Sequence, residues 1–175
     1  ALRIHSDDAA ARGIADGVRN TPTLVNIGFH RWLFWDGRAD TLWSQALQPI
    51  ETPHEMNSTR VAAVALVVTD KGLRHRYETV FGPLPEPAWV HALDRTARPG
   101  SADARAAAAW EVISPADRER INTIFSNLGK AIAAYQRRLI GRGAPFDRFV
   151  EGLRTGNREK RDAISSQAQR GLKLF

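Results

Sequence analysis

Between residues 19 and 57 the sequence gathers side chains of types that do chemistry. Arg19 and Asn20 lie in a polar loop, Trp32 and Trp35 flank an aromatic turn, Gln45 falls on a short helix, and Glu55 sits in the loop beyond it. A carboxylate can take up and return a proton, and an amide can hold a small polar molecule by hydrogen bonds. An indole is both a packing group and an oxidisable one. The same residues also read as a small aromatic core with ordinary polar loop groups, and composition alone favours that plainer reading. The rest of the chain offers less. His5, His30, His54, His75 and His91 show no metal-site spacing, and no pair stands at i,i+4 with a Glu between. There is no nucleophile elbow, no Walker loop and no glycine-rich dinucleotide turn.

These candidates need elements to position them, and the sequence supplies helices. Pro22 fixes its own φ and pushes Thr21 towards extended geometry, so residues 19–23 form a loop. Three of the five Trp (Trp32, Trp35, Trp43) fall within twelve residues, and Asp36-Gly37 among them signals a turn. Asp40 or Thr41 caps a helix carrying Leu42, Trp43, Ala46 and Leu47, expected to stop before Pro49. Ser58 is the expected cap of a helix over 59–69, and Asp70 of one that Gly82-Pro83 ends. One helical turn is expected at 88–95 and an Ala-rich helix at 102–112. Ser114-Pro115 opens the clearest element, about 115–140. Its apolar residues Ile121, Ile124, Leu128, Ile132, Tyr135 and Leu139 recur at helical spacing and are expected to share its buried face. Shorter helices follow at 145–153 and from Ser166, with Gln169 completing a capping box. No strand-period segment survives; the Val61–Val68 run is the one rival, and its flanks favour helix. The expected fold is all-α, a helical segment with long irregular loops.

The whole chain is 175 residues with 43% hydrophobic and 25% charged residues, a globular balance. It contains no Cys, which removes disulfides, thiolate zinc sites and a cysteine nucleophile. No apolar run is long enough to span a membrane. The net charge of +6 is concentrated late: residues 115–175 carry thirteen Lys/Arg against six Asp/Glu. Without aromatic residues interleaved among the basic ones, this does not read as a nucleic-acid surface, and steeply salt-dependent binding would be its mark. The start at Ala1 and the apolar close at Leu172, Leu174 and Phe175 suggest a processed or partial chain.

A set of ordered motifs shifts the weighting. Arg19-Asn20-Thr21-Pro22-Thr23-Leu24-Val25-Asn26 precedes Phe34-Trp35-Asp36-Gly37-Arg38-Ala39. Gln45-Ala46-Leu47-Gln48-Pro49-Ile50 and Pro53-His54-Glu55-Met56 follow. Downstream come Phe125-Ser126-Asn127-Leu128-Gly129-Lys130-Ala131-Ile132-Ala133-Ala134-Tyr135, Ala144-Pro145-Phe146-Asp147-Arg148-Phe149 and Ala168-Gln169-Arg170-Gly171-Leu172-Lys173-Leu174-Phe175. Together, over about residues 19–175, they resemble the bacterial dihaem cytochrome c peroxidases, a family that includes relatives oxidising tryptophan or maturing methylamine dehydrogenase.

The resemblance implies a cytochrome c-like all-α fold and a periplasmic oxidoreductase with two c-type haems that reacts with hydrogen peroxide. It implies an electron-donor or substrate protein as partner and admits a homodimer. It divides the single segment 1–175 into an irregular loop over 1–20, a peroxidatic-haem side over 21–113, and a long helix approaching the second haem over 114–175. The family's two Cys-x-x-Cys-His motifs are both missing, so the chain resembles the stretch between them. It would then be a piece of a longer protein, inactive alone, or a haem-free paralogue. Trp35 matches the tryptophan between the haems, Glu55 the distal acid, and Gln45 the amide beside it. Asn20 matches a position giving a side-chain oxygen to calcium. The family's distal His has no counterpart in Ala10–Gly17, which favours relatives whose peroxidatic iron stays open; His5 could substitute only if that loop ran differently. The rival reading is a haem-free helical interaction module that keeps the scaffold alone.

Overall fold

The computed structural model describes residues 20–174; the expectations for His5, for Ala10–Gly17, for Arg19 and for Phe175 lie outside them. Among the described residues the architecture is helical, with one isolated antiparallel bridge between Leu33 and Ala39 and no sheet. The chain divides into two compact units, one running to Arg138 and one from Leu139 onwards.

The first unit is built around α2 (Arg60–Thr69). Its Val-rich run could have made a strand, but Val61, Val64, Ala65 and Val68 are almost wholly enclosed by helices and supply the core. The cap is Thr59, one residue past the expected Ser58. The Thr59 hydroxyl accepts from the Ala62 amide at 3.0 Å and donates to the Arg95 carbonyl. Ser58 instead uses its backbone, receiving Arg98 on its carbonyl. Around α2 pack α1 (Leu42–Glu51), α3 (Lys71–Phe81), α4 (Pro87–His91) and α6 (Pro115–Gln136). Between α4 and α6 comes α5 (Ala104–Val112), which buries Ala106 and Trp110.

Helices α1 and α6 differ from their sequence expectation in extent, and α6 also in its buried face. Helix α1 does not stop before Pro49 but carries it inside and ends at Glu51. Proline's locked φ is helical; only the bond from its missing N–H to the Gln45 carbonyl is lost. Helix α6 ends at Gln136 rather than near 140, and its buried face is turned from the expected stripe. Ile121, Ile124, Phe125, Gly129, Ala133 and Gln136 are enclosed, Leu128 and Ile132 are half-buried, and Tyr135 is 63% exposed. The reason is the crossing of α1. A Cβ on Gly129 would lie 2.7 Å from the Trp43 carbonyl oxygen and 2.9 Å from Leu47 Cγ. A contact that close admits only small residues, so the interface selects glycine and alanine over the larger apolar groups.

The second unit contains α7 (Pro145–Thr155), α8 (Arg158–Arg161) and α9 (Ser166–Leu172). Gly152 lets α8 approach α7, since a Cβ there would meet the Arg161 amide nitrogen at 2.6 Å. The cap of α9 is Ser165, not Ser166, and Gln169 donates to the carbonyls of Arg161 and Ile164 instead of closing a capping box.

Candidate functional site

Helix α1 is the element from which the candidates hang. Its N-cap is Thr41, whose hydroxyl accepts from the Ser44 amide. Gln45 lies one turn in. Its Oε1 is buried and has no hydrogen-bond partner, an unusual state because an unpaired buried acceptor costs about 1–3 kcal/mol. It marks a place where a donor from outside the described residues would be welcome.

The aromatic loop stands before α1. The Leu33 amide donates to the Ala39 carbonyl at 2.8 Å, closing residues 33–39 into a tight loop. Gly37 turns it at φ 70° and Phe34 takes the left-handed region at φ 63°, a conformation a bulky residue adopts only when its surroundings enforce it. Arg38 is the enforcing group. Its guanidinium lies 3.5 Å from the Phe34 ring centroid and holds Asp36 through Nη1 at 3.0 Å. Its Nε donates to Gln48 Oε1 at 3.1 Å, clipping the loop to α1. Trp35 is left 66% exposed, anchored by its indole N–H, which donates to the Asn20 carbonyl at 2.7 Å. The structure therefore brings Asn20 and Trp35 together through the Asn20 main chain. The Asn20 side chain offers one oxygen, and among the described residues no group of three or more acidic, His or Cys side chains gathers to complete a cation site.

Glu55 follows α1 in a turn that folds back on it. The Met56 amide donates to the Pro49 carbonyl and the Ser58 amide to that of Ile50, while Glu55 and Asn57 both donate to the Thr52 carbonyl. Glu55 itself is half-buried and makes no side-chain hydrogen bond among the described residues. Thus Gln45, Glu55 and Trp35 are each fixed relative to α1, by the helix, by its return turn and by the Arg38 clip, and no hydrogen bond joins them to one another.

Three further features of this region carry no local signal in the sequence. Arg38 and Gln48 lie within the quoted motifs, but nothing local signals their pairing. Met56, 61% exposed, joins Phe29, Trp32 and Trp35 as large apolar side chains left open around this region. Glu51 and Arg60 bracket the Glu55 turn with two contacts between side chains, Nη2 to Oε2 at 2.7 Å and Nε to Oε1 at 3.0 Å.

Residues 3–155 match the family model described as di-haem cytochrome c peroxidase. The chain is 32% identical over 158 residues to methylamine utilization protein MauG of Methylophilus methylotrophus, covering 90% of this chain and 34% of that protein. It is 28% identical over 169 residues to cytochrome c551 peroxidase of Pseudomonas aeruginosa, covering 95% of this chain and 36% of that one. A third relative, the methylamine utilization protein MauG of Methylorubrum extorquens, is 28% identical over 172 residues, 96% of this chain and 36% of that protein. The chain thus spans about a third of the length of the curated relatives it matches.

Proposed function

The chain belongs to the di-haem cytochrome c peroxidase family, and on that premise we propose that it forms the part of a periplasmic peroxidase-like oxidoreductase that lines a haem and handles protons and electrons beside it. The observation that carries this reading is the orphaned, buried Oε1 of Gln45 on α1. In the segments before and after the same helix, Phe29, Trp32, Trp35 and Met56 expose apolar surface that an aromatic macrocycle would cover. These residues suit non-covalent lining. They do not hold a c-type haem covalently, because the chain has no Cys; thioether attachment belongs to residues outside this sequence.

When bound, haem supplies the redox chemistry by which peroxide, two electrons and two protons become two waters. The chain's own residues do the rest. Glu55, on its braced turn, takes a proton from one peroxide oxygen and returns it to the departing one. Gln45 holds the small polar molecule with its amide. Trp35, exposed and tethered only through its N–H, is the oxidisable group through which electrons pass. The electrons come from, or are drawn out of, a partner protein. A calcium ion held partly by Asn20 would draw its remaining oxygens from outside the described residues. Among the described residues no helix is long and apolar enough to cross a membrane.

Stopped-flow mixing of the complete haem-bearing protein with peroxide tests the reading. Glu55→Gln keeps size and hydrogen bonding but cannot shuttle a proton, and it is expected to slow the reaction about 10²–10⁴-fold. Reaction at the parent rate would make Glu55 an ordinary loop acid.

A further inference from the structure

We infer that Arg98, in the connection between α4 and α5, is a positioning residue that sets the Glu55 turn; the inference rests on the proton-transfer role proposed for Glu55. Residues 52–58 carry Glu55 between two helices, and what fixes such a turn decides where its carboxylate stands. Its first limb is fixed to α1 by the Thr52 amide, which donates to the Gln48 carbonyl at 2.9 Å. Its ends are joined by the ion pair of Glu51 with Arg60, and the Arg60 amide also donates to Glu51 Oε1 at 3.0 Å. The descending limb is held by its main chain, the amides of Met56, Asn57 and Ser58 donating to the carbonyls of Pro49, Thr52 and Ile50, and what its side chains add comes from outside the turn. Asn57 there takes a left-handed φ of 46°, which an Asn tolerates but does not impose.

Arg98 supplies a side-chain tie to this limb from forty residues away. Its Nη2 donates to the Ser58 carbonyl at 2.6 Å and to Asn57 Oδ1 at 3.2 Å. The Arg98 main chain is itself pinned, its amide donating to the Ala106 carbonyl of α5 at 3.0 Å. A planar guanidinium that serves a carbonyl and a side-chain amide together fixes direction as well as distance. Beside the turn, an open cavity of about 710 Å³ is lined by Pro53, Asn57, Ser58 and Thr59 on one side and by Arg95, Arg98 and Pro99 on the other. On that side the limb faces open space, and the Arg98 side chain reaches across it to Asn57 and Ser58. Its loss would leave the fold standing, since Arg98 lies outside the enclosed core of α1, α2 and α6, while letting the Glu55 turn drift.

The test uses the complete haem-bearing protein with Arg98→Ala, Glu55→Gln and the double variant. Misplacing a reacting group by about 1 Å can cost up to about 10²-fold. Arg98→Ala is expected to lower kcat for peroxide by about ten- to a hundred-fold with KM little changed. In the double variant the Arg98 change should cost almost nothing further, because a group that acts through Glu55 has nothing left to position. A readout independent of turnover is amide hydrogen exchange. Exchange at Glu55, Met56 and Asn57 should quicken in Arg98→Ala while amides of α6 keep their protection. If Arg98→Ala does not fold, Arg98→Lys serves in its place, keeping the charge without the fork, with effects of the same direction and smaller size. Parent turnover in the Arg98 variant, unchanged exchange in the turn, or a full additive loss in the double variant would each overturn the inference. If Glu55→Gln alone reacts at the parent rate, the proton-transfer reading falls and this inference with it; if Glu55→Gln is impaired and the Arg98 variant is not, only this inference falls.

Discussion

Trp35 and Glu55 are both side chains that the fold leaves without a packing purpose. A tryptophan in a folded chain ordinarily buries most of its large surface, yet Trp35 is two-thirds exposed while its N–H is spent on Asn20. If its role were packing alone, Trp35→Phe would chiefly lower the melting temperature. The account expects otherwise: with so little surface enclosed, the melt should shift little, peroxide should still bind, and electron transfer between the haems should slow, since phenyl is far harder to oxidise than indole. Stopped-flow absorbance of the complete protein beside a thermal melt distinguishes the two. Gln45 is the opposite case, a polar group enclosed without a partner. Gln45→Leu in this chain should not destabilise it by the usual cost of a lost hydrogen bond, because the buried acceptor is unpaired; a melt lowered as far as for a paired buried amide would count against that description.

At the scale of elements, the crossing of α1 over α6 governs where the site stands. Gly129→Ala forces a Cβ against the Trp43 carbonyl and Leu47, and overpacking of this kind costs about 1–3 kcal/mol. The variant should melt lower, and the α1 turn with Gln45 should lose amide protection before α3 does. The N-terminus of α6 gives a second test. Ser114 donates to Asp117 and accepts from its amide, and the Trp89 indole donates to the same carboxylate at 2.8 Å. These hydrogen bonds, Ser114 first, then Trp89, with the Arg120 charge beside them, hold the Asp117 carboxyl below its ordinary value. A lowered folded-state pKa favours the ionised form, so this stabilisation is complete above the unfolded value of about 3.9 and is lost as pH falls through the folded one. Melts taken from about pH 6 down to about pH 2 should therefore show a shallower acid decline in Asp117→Asn than in the parent. Equal slopes would remove Asp117 from the account.

The elements also show what could be read in advance. Caps were legible at Thr41, Asp70 and Ser114, because the capping bond is local, but where two hydroxyl residues adjoin, at Ser58-Thr59 and Ser165-Ser166, the expectation fell one residue off. The α6 face was not, because periodicity weighs side-chain size and the α1 crossing selects small residues at Gly129 and Ala133. Pro49 misled for a related reason: its cost is one main-chain bond, which a packed helix can bear. At the site, Trp35, Gln45 and Glu55 stood out only through motif order. The ties that place them, Arg38 to Gln48, Trp35 to Asn20 and Arg98 to Asn57, link residues ten to forty-one apart and leave no local signature.

Over the whole molecule, the chain combines a family scaffold with a composition that lacks the family's attachment chemistry. The helices around α2 enclose a continuous apolar core. What that core does not use is the apolar surface of Phe29, Trp32, Trp35 and Met56 and the unpaired Gln45 acceptor. A scaffold retained only for docking has no reason to keep a buried amide oxygen without a partner on α1 and an exposed Trp35 on the loop that Arg38 clips to that helix. The measurement that bears most directly on this is made on the natural gene product, expressed with export and c-type haem maturation. Its visible spectrum and its mass under denaturing conditions are recorded together. The account predicts a Soret band and a mass exceeding the polypeptide's by two covalent haems. A colourless protein whose mass is that of the bare polypeptide would contradict it.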